Sequence, residues 1–393
     1  MGIATEFHCN RFGRYFVMRP TPKGWCPSAL KPMASGDGLL VRLRPKFGRF
    51  TREELLSVSD LSENYGNGLL DFTNRANLQI RGVVKGQHAS LAQALYDIGL
   101  IDDIIERVGG RNMILAPDWL EGGRTETLAK EFYATLNNLP DLPSKFGFSI
   151  EVDSEFSLRK VSSDIRLERS NTDGLVVRAD GSAFGRAVSE KNAITAMFEM
   201  AKWFVETNGA ASGRMAHHLK KTQLPKSWRT TPPLSIPRYS LNGKFNLGIL
   251  LGIPFGQITT KVLRGLINET KSRAIRLTPW RSILLEGIGY VKSNDFTIGP
   301  TDELLAIDAC PGAPACASAS VETRQLAANL AQRTTRPLHI SGCSKGCALP
   351  KSAPVTVTGN NGTYDLIING CAWDKPLKTG LSRSELLEHI ERL

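Results

Sequence analysis

Four cysteines near the C-terminus have the residue type and spacing of a metal centre. They form two close pairs, Cys310 and Cys316 in "DACPGAPACASAS" and Cys343 and Cys347 in "HISGCSKGCALP". A zinc ribbon usually separates paired ligands by roughly two to four residues, so this C-x5-C…C-x3-C pattern is not typical of one. Soft thiolates without a histidine favour an iron–sulfur cluster. The alternative is that they are buried, inert thiols.

The loops around these cysteines must bring the two pairs together. Both loops are rich in Pro, Gly and small side chains, which keeps them out of helices and leaves room for a cluster of several atoms. The other three cysteines carry no metal-type spacing. Cys26, in "GWCPSALKPM", is expected to be a structural thiol, with a place near a substrate as the alternative, and Cys9 and Cys371 belong to no motif.

Composition limits the class of protein. A chain of 393 residues with 41% hydrophobic and 22% charged residues is typical of a soluble protein of two or three domains. No stretch reaches the length of a transmembrane helix, and the N-terminus lacks the apolar core of a signal peptide. Seven cysteines, an odd number, suit a reducing compartment better than a disulfide framework. We therefore expect a cytoplasmic protein.

The net charge of +11 predicts an anionic partner or substrate. Nucleic acid is one alternative, which would make the chain a metal-stabilised binding protein. However, the basic residues are scattered, and no helix-turn-helix, KH or RNP pattern is present. The other alternative is a small polyanion bound in a pocket by arginines.

The chain contains one weak internal repeat. Residues 40–83 parallel residues 247–288, each reading as a strand, a Pro/Gly turn, a helix begun by Thr51 or Thr259, and a second strand closed by Gly82 or Gly287. In this alignment Thr73 falls opposite Thr278. Chance similarity between two α+β segments is the alternative.

The remaining segments repeat in the same order. The first copy is expected to contain a helix over about 125–136 and a hairpin with the turn "SNTDG", and the second a helix over about 320–332 and a hairpin with the turn "GNNG". A helix over about 190–206 leads into a basic, Pro-rich linker between the copies. The metal-type cysteines occur in the second copy alone.

These segments together resemble the nitrite and sulfite reductase superfamily. Within it the chain is most similar to the precorrin-3B synthase family of aerobic cobalamin biosynthesis. The segments that carry the resemblance are Gly24 to Pro45, Asp71 to Val83, Arg276 to Leu285, Ala309 to Ala327 and Ser341 to Pro350. The resemblance implies a duplicated α+β architecture, with two ferredoxin-like half-domains and two α/β lobes, of which the second holds a [4Fe-4S] cluster. The expected boundaries are 10–86 and 241–292 for the half-domains, 87–207 and 293–393 for the lobes, and 208–240 for the linker.

The function that this resemblance implies is monooxygenation of a tetrapyrrole. Dioxygen would hydroxylate precorrin-3A at the meso carbon between rings A and D, and an acetate side chain would close a γ-lactone. The implied cofactors are the [4Fe-4S] cluster on Cys310, Cys316, Cys343 and Cys347 and an additional non-haem iron. Since the sequence has no P-loop and no G-x-G-x-x-G fingerprint after a strand, an external donor or reductase is expected to supply electrons.

The resemblance also implies which cations face the substrate, a carboxylate-rich tetrapyrrole. They are Arg75 in "TNRANLQ", Arg111 in "GGRNM" and Lys145 in "LPSKFG". Each could instead be a solvated surface charge, the commoner position of Arg and Lys. Catalytic residues and ligands of a second iron are not recognisable, and His88, His217, His218 and His339 read as structural or connecting residues.

Two departures from the reductase pattern separate the subfamilies. Gly147 stands where the reductases have a second lysine, and Ser344 and Lys345 stand where they usually have Pro and Asn. Loss of a cation is costly for an enzyme that stabilises a small oxyanion and less so for one with a large polyanionic substrate. Siroheme-dependent nitrite or sulfite reduction is therefore the second hypothesis. In that case Cys347, by its position, would bridge cluster and haem.

Overall fold

The computed structural model describes residues 26–102, 106, 112–172, 174–234, 243–298, 304, 307–334 and 336–392. These residues fall into two compact units. One contains residues 26–33 and 39–298, and the other contains residues 34–38 and the described residues from 304 onward. None of the helices in the described ranges has the length and apolar character needed to cross a membrane.

The described residues form twenty strands and eight α-helices. The strands are β1 (Met33–Ser35), β2 (Gly38–Leu43), β3 (Arg49–Thr51), β4 (Leu69–Phe72), β5 (Leu78–Val83), β6 (Asn112–Leu115), β7 (Gly147–Glu151), β8 (Ile165–Arg169), β9 (Leu175–Ala179), β10 (Arg186–Val188), β11 (Gly243–Phe245), β12 (Gly248–Gly252), β13 (Gln257–Thr259), β14 (Ala274–Leu277), β15 (Ser282–Glu286), β16 (Ile307–Ala309), β17 (Leu338–Ser341), β18 (Ala353–Asn360), β19 (Thr363–Gly370) and β20 (Lys378–Leu381). The helices are α1 (Arg52–Tyr65), α2 (His88–Asp97), α3 (Arg124–Ala134), α4 (Glu190–Glu206), α5 (Met215–His218), α6 (Thr260–Thr270), α7 (Arg324–Ala331) and α8 (Arg383–Glu391).

The repeat predicted from the sequence is present in the two half-domains. Thr51 caps α1 by accepting from the amide of Glu54 at 3.2 Å, and Thr259 caps α6 by accepting from the amide of Val262 at 3.2 Å. Both predicted N-caps are confirmed. Gly82 and Gly287 have positive φ angles of 66° and 76°, a conformation that glycine adopts without steric cost.

Each half-domain contributes one strand to the sheet of the other. β13 pairs antiparallel with β4, and β3 pairs antiparallel with β14. The resulting orders are β2-β5-β4-β13 and β11-β12-β15-β14-β3. Two matching turns redirect the chain for this exchange, with Phe47 and Phe255 both at φ 55°. The two half-domains are therefore joined by hydrogen-bonded sheet edges.

The two exchanged strands make similar polar contacts, each to an acidic residue of the sheet that it joins. On one side Asp71 accepts from Arg81 at 2.8 Å and from Gln257 of β13 at 2.7 Å. At the equivalent place of the other sheet, Glu286 accepts from Arg276 at 2.6 Å and from Arg49 of β3 at 2.7 Å.

The two lobes have the same strand order. In the first, β6, β7 and β8 run parallel and β9 and β10 follow antiparallel. In the second, β16, β17 and β18 run parallel and β19 and β20 follow antiparallel. The core of the first lobe is aromatic, with centroid distances of 4.8 Å between Phe132 and Phe148 and 4.7 Å between Phe146 and Phe204.

Several local expectations are confirmed with shifted ends. The three predicted helices are α3, α4 and α7, and the third begins at Arg324, four residues later than 320. The turns "SNTDG" and "GNNG" join β8 to β9 and β18 to β19. The segment expected to be a linker contains the short helix α5. The domain boundaries stay predictions.

Candidate metal centre and anion-binding site

The first cysteine pair lies in the loop after β16. The amide of Cys310 donates to the Ile340 carbonyl at 3.2 Å, which fixes this cysteine at the end of the sheet. The amide of Cys316 donates to the Gly312 carbonyl at 2.8 Å, which closes a turn. A Cβ on Gly312 would lie 2.6 Å from Oγ1 of Thr323, so the loop has no space for a larger residue there.

The second pair lies in the loop after β17. Oγ of Ser341 donates to the Cys343 carbonyl at 2.7 Å. Gly346, between the cysteines, has a positive φ of 60°, and a Cβ there would lie 3.0 Å from the Trp373 ring. Glycine is therefore required for the tight turn that returns Cys347 toward Cys343.

The four thiols lie close enough to affect one another's ionisation. Burial raises the pKa of Cys343 and of Cys347, and the charges of the other cysteines raise both further. The amide of Gly342 donates to Sγ of Cys310 at 3.1 Å, which is a bond that stabilises a thiolate.

This arrangement suits a cluster better than a single ion. Within the described residues, no group of three or more His, Cys, Asp or Glu side chains is arranged to hold one metal ion. Four cysteines on loops of small residues are the ligand set that an iron–sulfur cluster normally takes. Cys310 is buried whereas Cys347 is exposed.

Residues 34–38 belong to the same unit as the cysteines. Oγ of Ser35 donates to the Ala315 carbonyl at 2.8 Å, and the amide of Gly36 donates to it at 3.2 Å. A Cβ on Gly36 would lie 2.5 Å from the Pro314 carbonyl oxygen. These contacts place Ser35 and Gly36, which belong to the segment Gly24 to Pro45 that carries the family resemblance, against the first cysteine loop.

A separate cluster of three arginines lies in the first half-domain. Burial, together with the charges of Arg44 and Arg75, lowers the pKa of Arg42 to about 10. Burial also lowers the pKa of Arg44 and of Arg75. Three desolvated guanidinium groups whose charges repel one another would be stabilised by a bound anion.

Arg44 has the clearest unused hydrogen-bonding capacity in this cluster. Its Nη2 donates to the Pro27 carbonyl at 2.9 Å, while Nε and Nη1 are buried without a hydrogen-bond partner among the described residues. The neighbouring cavity of about 40 Å³, also lined by Lys46 and Asn77, has room for water or one carboxylate group. Buried donors without acceptors are costly, so a bound anion would relieve this cost.

Arg75 and Lys145, both predicted to face a substrate, lie together. Nη1 of Arg75 donates to the Lys145 carbonyl at 3.3 Å, and Nη2 donates to Oγ of Ser162 at 3.1 Å. Arg166, which is fully buried, holds the Ser162 loop through the carbonyls of Leu158 at 2.6 Å and Val161 at 2.7 Å. The third predicted cation, Arg111, lies outside the described residues.

Arg42 and Arg44 were missed in the sequence-based assignment of this site. They occur in "LVRLRP", where Arg42 lies in β2 and Arg44 directly follows its last residue, and the alternation of basic and apolar residues was the available signal. Cys26 accepts a hydrogen bond from Arg42, so it lies beside the cluster. Cys9 lies outside the described residues, and the amide of Cys371 donates to Asp374 at 2.7 Å.

The histidines have structural surroundings. Nε2 of His88 lies 2.9 Å from the Ala29 carbonyl, and Nε2 of His218 lies 2.8 Å from Oγ1 of Thr207. Burial lowers the pKa of His218, which favours its neutral form. His217 is exposed, whereas His339 is buried in β17.

Comparison with known proteins agrees with this architecture. Residues 31–98 match the family described as Nitrite/Sulfite reductase ferredoxin-like half domain. The chain is 29% identical to the precorrin-3B synthase of Sinorhizobium sp, covering 89% of this chain and 83% of that protein. It is 23% identical to the ferredoxin–nitrite reductase of Synechococcus elongatus, with coverages of 85% and 78%. Among solved structures, the NirA protein of Mycobacterium tuberculosis matches with a TM-score of 0.60 at 15% identity, covering 90% of this chain and 80% of that one.

The predicted fold class and the predicted resemblance are confirmed. The chain has the α+β nitrite/sulfite reductase-like fold with ferredoxin-like half-domains. It is similar over most of its length to a precorrin-3B synthase and, more weakly, to a nitrite reductase.

Proposed function

We propose that this chain, with its nitrite/sulfite reductase-like fold and its similarity to a precorrin-3B synthase, is itself a precorrin-3B synthase. The similarity supports an enzyme of cobalamin biosynthesis that acts on a precorrin. The observation that carries the proposal is the desolvated cluster of Arg42, Arg44 and Arg75, in which two buried guanidinium nitrogens have no hydrogen-bond partner among the described residues. Precorrins carry acetate and propionate groups, which are the anions such a cluster would bind.

The proposed reaction is a monooxygenation. One atom of dioxygen forms the hydroxyl group on the meso carbon between rings A and D of precorrin-3A. The other atom leaves as water, with two electrons and two protons from an external donor. The carboxyl group of an acetate side chain then adds to the ring carbon bonded to the meso carbon, where a double bond of the macrocycle is broken and takes up the carboxyl proton as the γ-lactone closes. We place the reaction in the cytoplasm.

We assign the cluster to Cys310, Cys316, Cys343 and Cys347. In support of this assignment, the charges of other cysteines of this set raise the pKa of Cys343 and of Cys347. When bound, the cluster would supply single-electron transfer. The Gly342 amide stabilises the Cys310 thiolate, and Ser341 orients the Cys343 backbone. An additional non-haem iron is part of the proposal, without assigned ligands.

The arginines are assigned to substrate carboxylates. Arg44 would donate to a substrate carboxylate from Nη1 or from Nε, which have no hydrogen-bond partner among the described residues, while Arg75 is held in position by Ser162 and the Lys145 carbonyl. Lys145 and Arg111 retain their assignment as substrate contacts. Isolated charged side chains at the surface would be hydrated. The guanidinium groups of Arg42, Arg44 and Arg75 are desolvated instead, so binding a polyanion would stabilise them more.

The test is binding of precorrin-3A without oxygen, followed by turnover after dioxygen is added. Arg44→Met should weaken binding by roughly tenfold to a hundredfold, because each charge-assisted hydrogen bond contributes about 1.5–3 kcal/mol. Arg264→Met is the matched control, since Arg264 is paired with the exposed Asp60 on α1. With labelled dioxygen and a reductant, one labelled oxygen atom should appear in the product. Unchanged binding by Arg44→Met, or no labelled product from the wild type, would contradict the proposal.

The second hypothesis is siroheme-dependent nitrite or sulfite reduction. The similarity to a nitrite reductase and the fold favour it. The start of β7 argues against it, because Gly147 supplies no cation there and its amide donates to the buried Asp164 at 2.9 Å. Siroheme released by acid from protein purified without oxygen, together with nitrite or sulfite reduction, would establish the second hypothesis.

A further inference from the structure

Lys345 lies between the two cysteines of the second loop and reaches the first loop. Its Nζ donates to Oγ of Ser318 at 2.7 Å, and Ser318 follows Cys316 by two residues. The lysine is exposed to solvent. This bond connects the two segments that carry the four cysteines.

The same residue acts on the sulfur atoms in two ways. The backbone amide of Lys345 donates a hydrogen bond to the Cys343 thiol. Its ammonium group, bonded to Ser318, adds a positive charge between the two cysteine segments. The turn that presents the amide depends on Gly346, which has φ 60° and no room for a Cβ beside Trp373.

A positive charge on Lys345 would affect the reduction of a cluster bound by the two cysteine loops. A cluster on four thiolates is an anion in a partly buried site, and its reduction adds a further negative charge. Net charge and hydrogen bonds to the sulfurs set the reduction potential of such clusters. A nearby ammonium stabilises the reduced form more than the oxidised form, because the interaction grows with the charge.

We propose that Lys345 is a positioning residue that joins the two cysteine loops through Ser318 and raises the reduction potential of the cluster. The inference rests on the proposed function in one respect, the assignment of the cluster to the four cysteines. It requires neither precorrin-3A nor dioxygen.

The test is a redox titration of the full chain, reconstituted with iron and sulfide without oxygen and followed by electron paramagnetic resonance. Lys345→Gln should keep its iron and sulfide but be reduced about tenfold less at a fixed potential, a downward shift of about 59 mV for one electron. Lys345→Arg should stay near the wild type. Lys351→Gln removes an exposed lysine of the same lobe and should leave the potential unchanged.

The outcomes separate this inference from the cluster assignment. Wild-type protein that takes up no iron and sulfide would overturn the assignment itself. A normal cluster in Lys345→Gln with the wild-type potential would overturn the role of Lys345 alone. If Lys345→Gln fails to assemble a cluster, Ser318→Ala decides, since it removes the anchor and keeps the charge. A lower reduction potential in Ser318→Ala supports the inference, and a reduction potential equal to that of the wild type overturns it.

Discussion

The two lobes have the same order of strands but different residues at the strand ends. Their sheets have the same order, and the amides of Ala116 and Cys310 donate to Ile150 and Ile340 at 3.1 and 3.2 Å in equivalent positions. The first lobe therefore has alanine where the second has a cysteine. Strand order and backbone pairing are shared, and the difference is confined to the loops at the strand ends.

These loops are stabilised by different partners. In the first lobe, Arg276 of β14 donates to the carbonyls of Pro117 and Trp119, and its guanidinium carbon lies 4.0 Å from the Trp119 ring centroid. In the second lobe, small residues and the segment containing Gly36 surround the cysteines. The comparison teaches that the same strand ends can hold a packing contact or a candidate metal centre, depending on a few side chains.

The largest expected effect is loss of the metal centre on Cys343→Ala. Removing one of four thiolate ligands should abolish stable cluster binding, measured as iron and sulfide per chain after anaerobic reconstitution. Cys371→Ala, in the same lobe, is the matched control and should keep the cluster. Equal iron content in Cys343→Ala and Cys371→Ala would contradict the assignment of Cys343 as a ligand and, with it, the proposal that the second lobe holds a metal centre.

The packing role of the first-lobe loop is tested by Arg276→Met. This change leaves Glu286 buried with Arg49 as its remaining partner and frees the carbonyls of Pro117 and Trp119. The free energy of unfolding should fall by about 3 kcal/mol, measured by urea denaturation. Arg264→Met, which removes an exposed ion pair, should cost less than about 1 kcal/mol. Similar losses in the two variants would contradict this role.

The second-lobe loop is tested by Gly36→Ala. The new Cβ would lie 2.5 Å from the Pro314 carbonyl oxygen and 2.9 Å from the Ala317 amide nitrogen, so the backbone around Cys316 must move. We expect a loss of about 1–3 kcal/mol in stability and a lower iron content after reconstitution. Gly86→Ala has open space around its Cβ and should change neither quantity. Normal iron content in Gly36→Ala would show that residues 34–38 do not support the cysteine loop.

A pH-dependent effect is expected at Glu151, which occupies the strand end equivalent to Ser341. Burial, together with the neighbouring Glu168 carboxylate, raises the pKa of Glu151 from 4.5 to about 8. The folded protein therefore keeps this proton while the unfolded chain loses it, so stability present below pH 4.5 is lost as the pH rises toward 8. The slope should reach at most about 1.4 kcal/mol per pH unit.

Glu151→Gln should remove this dependence while its amide oxygen still accepts from the Leu158 amide. Urea unfolding at several pH values between 4.5 and 8 measures the difference between the two proteins. A constant difference over that range would show that Glu151 has an ordinary pKa.

Much of the architecture could be predicted from local patterns. The Thr51 and Thr259 caps, the hairpin turns and the repeat depend on short segments, whose periodicity and turn residues are visible along the chain. The paired cysteines and the resemblance were sufficient to predict the α+β fold class. Within the candidate site, Arg75 and Lys145 were named in advance, and the structure places them in contact.

The remaining features depended on contacts between distant segments. The exchange of β3 and β13, the clustering of Arg42 and Arg44 with Arg75, and the contact of Gly36 with the Cys316 loop join residues far apart in sequence. Such contacts arise because unpaired sheet edges and buried polar groups must find partners, and neighbouring residues cannot provide them. The sequence by itself therefore determined the local elements and the type of metal ligand. The tertiary structure alone decided which charges meet, because burial and convergence are properties of the packed chain.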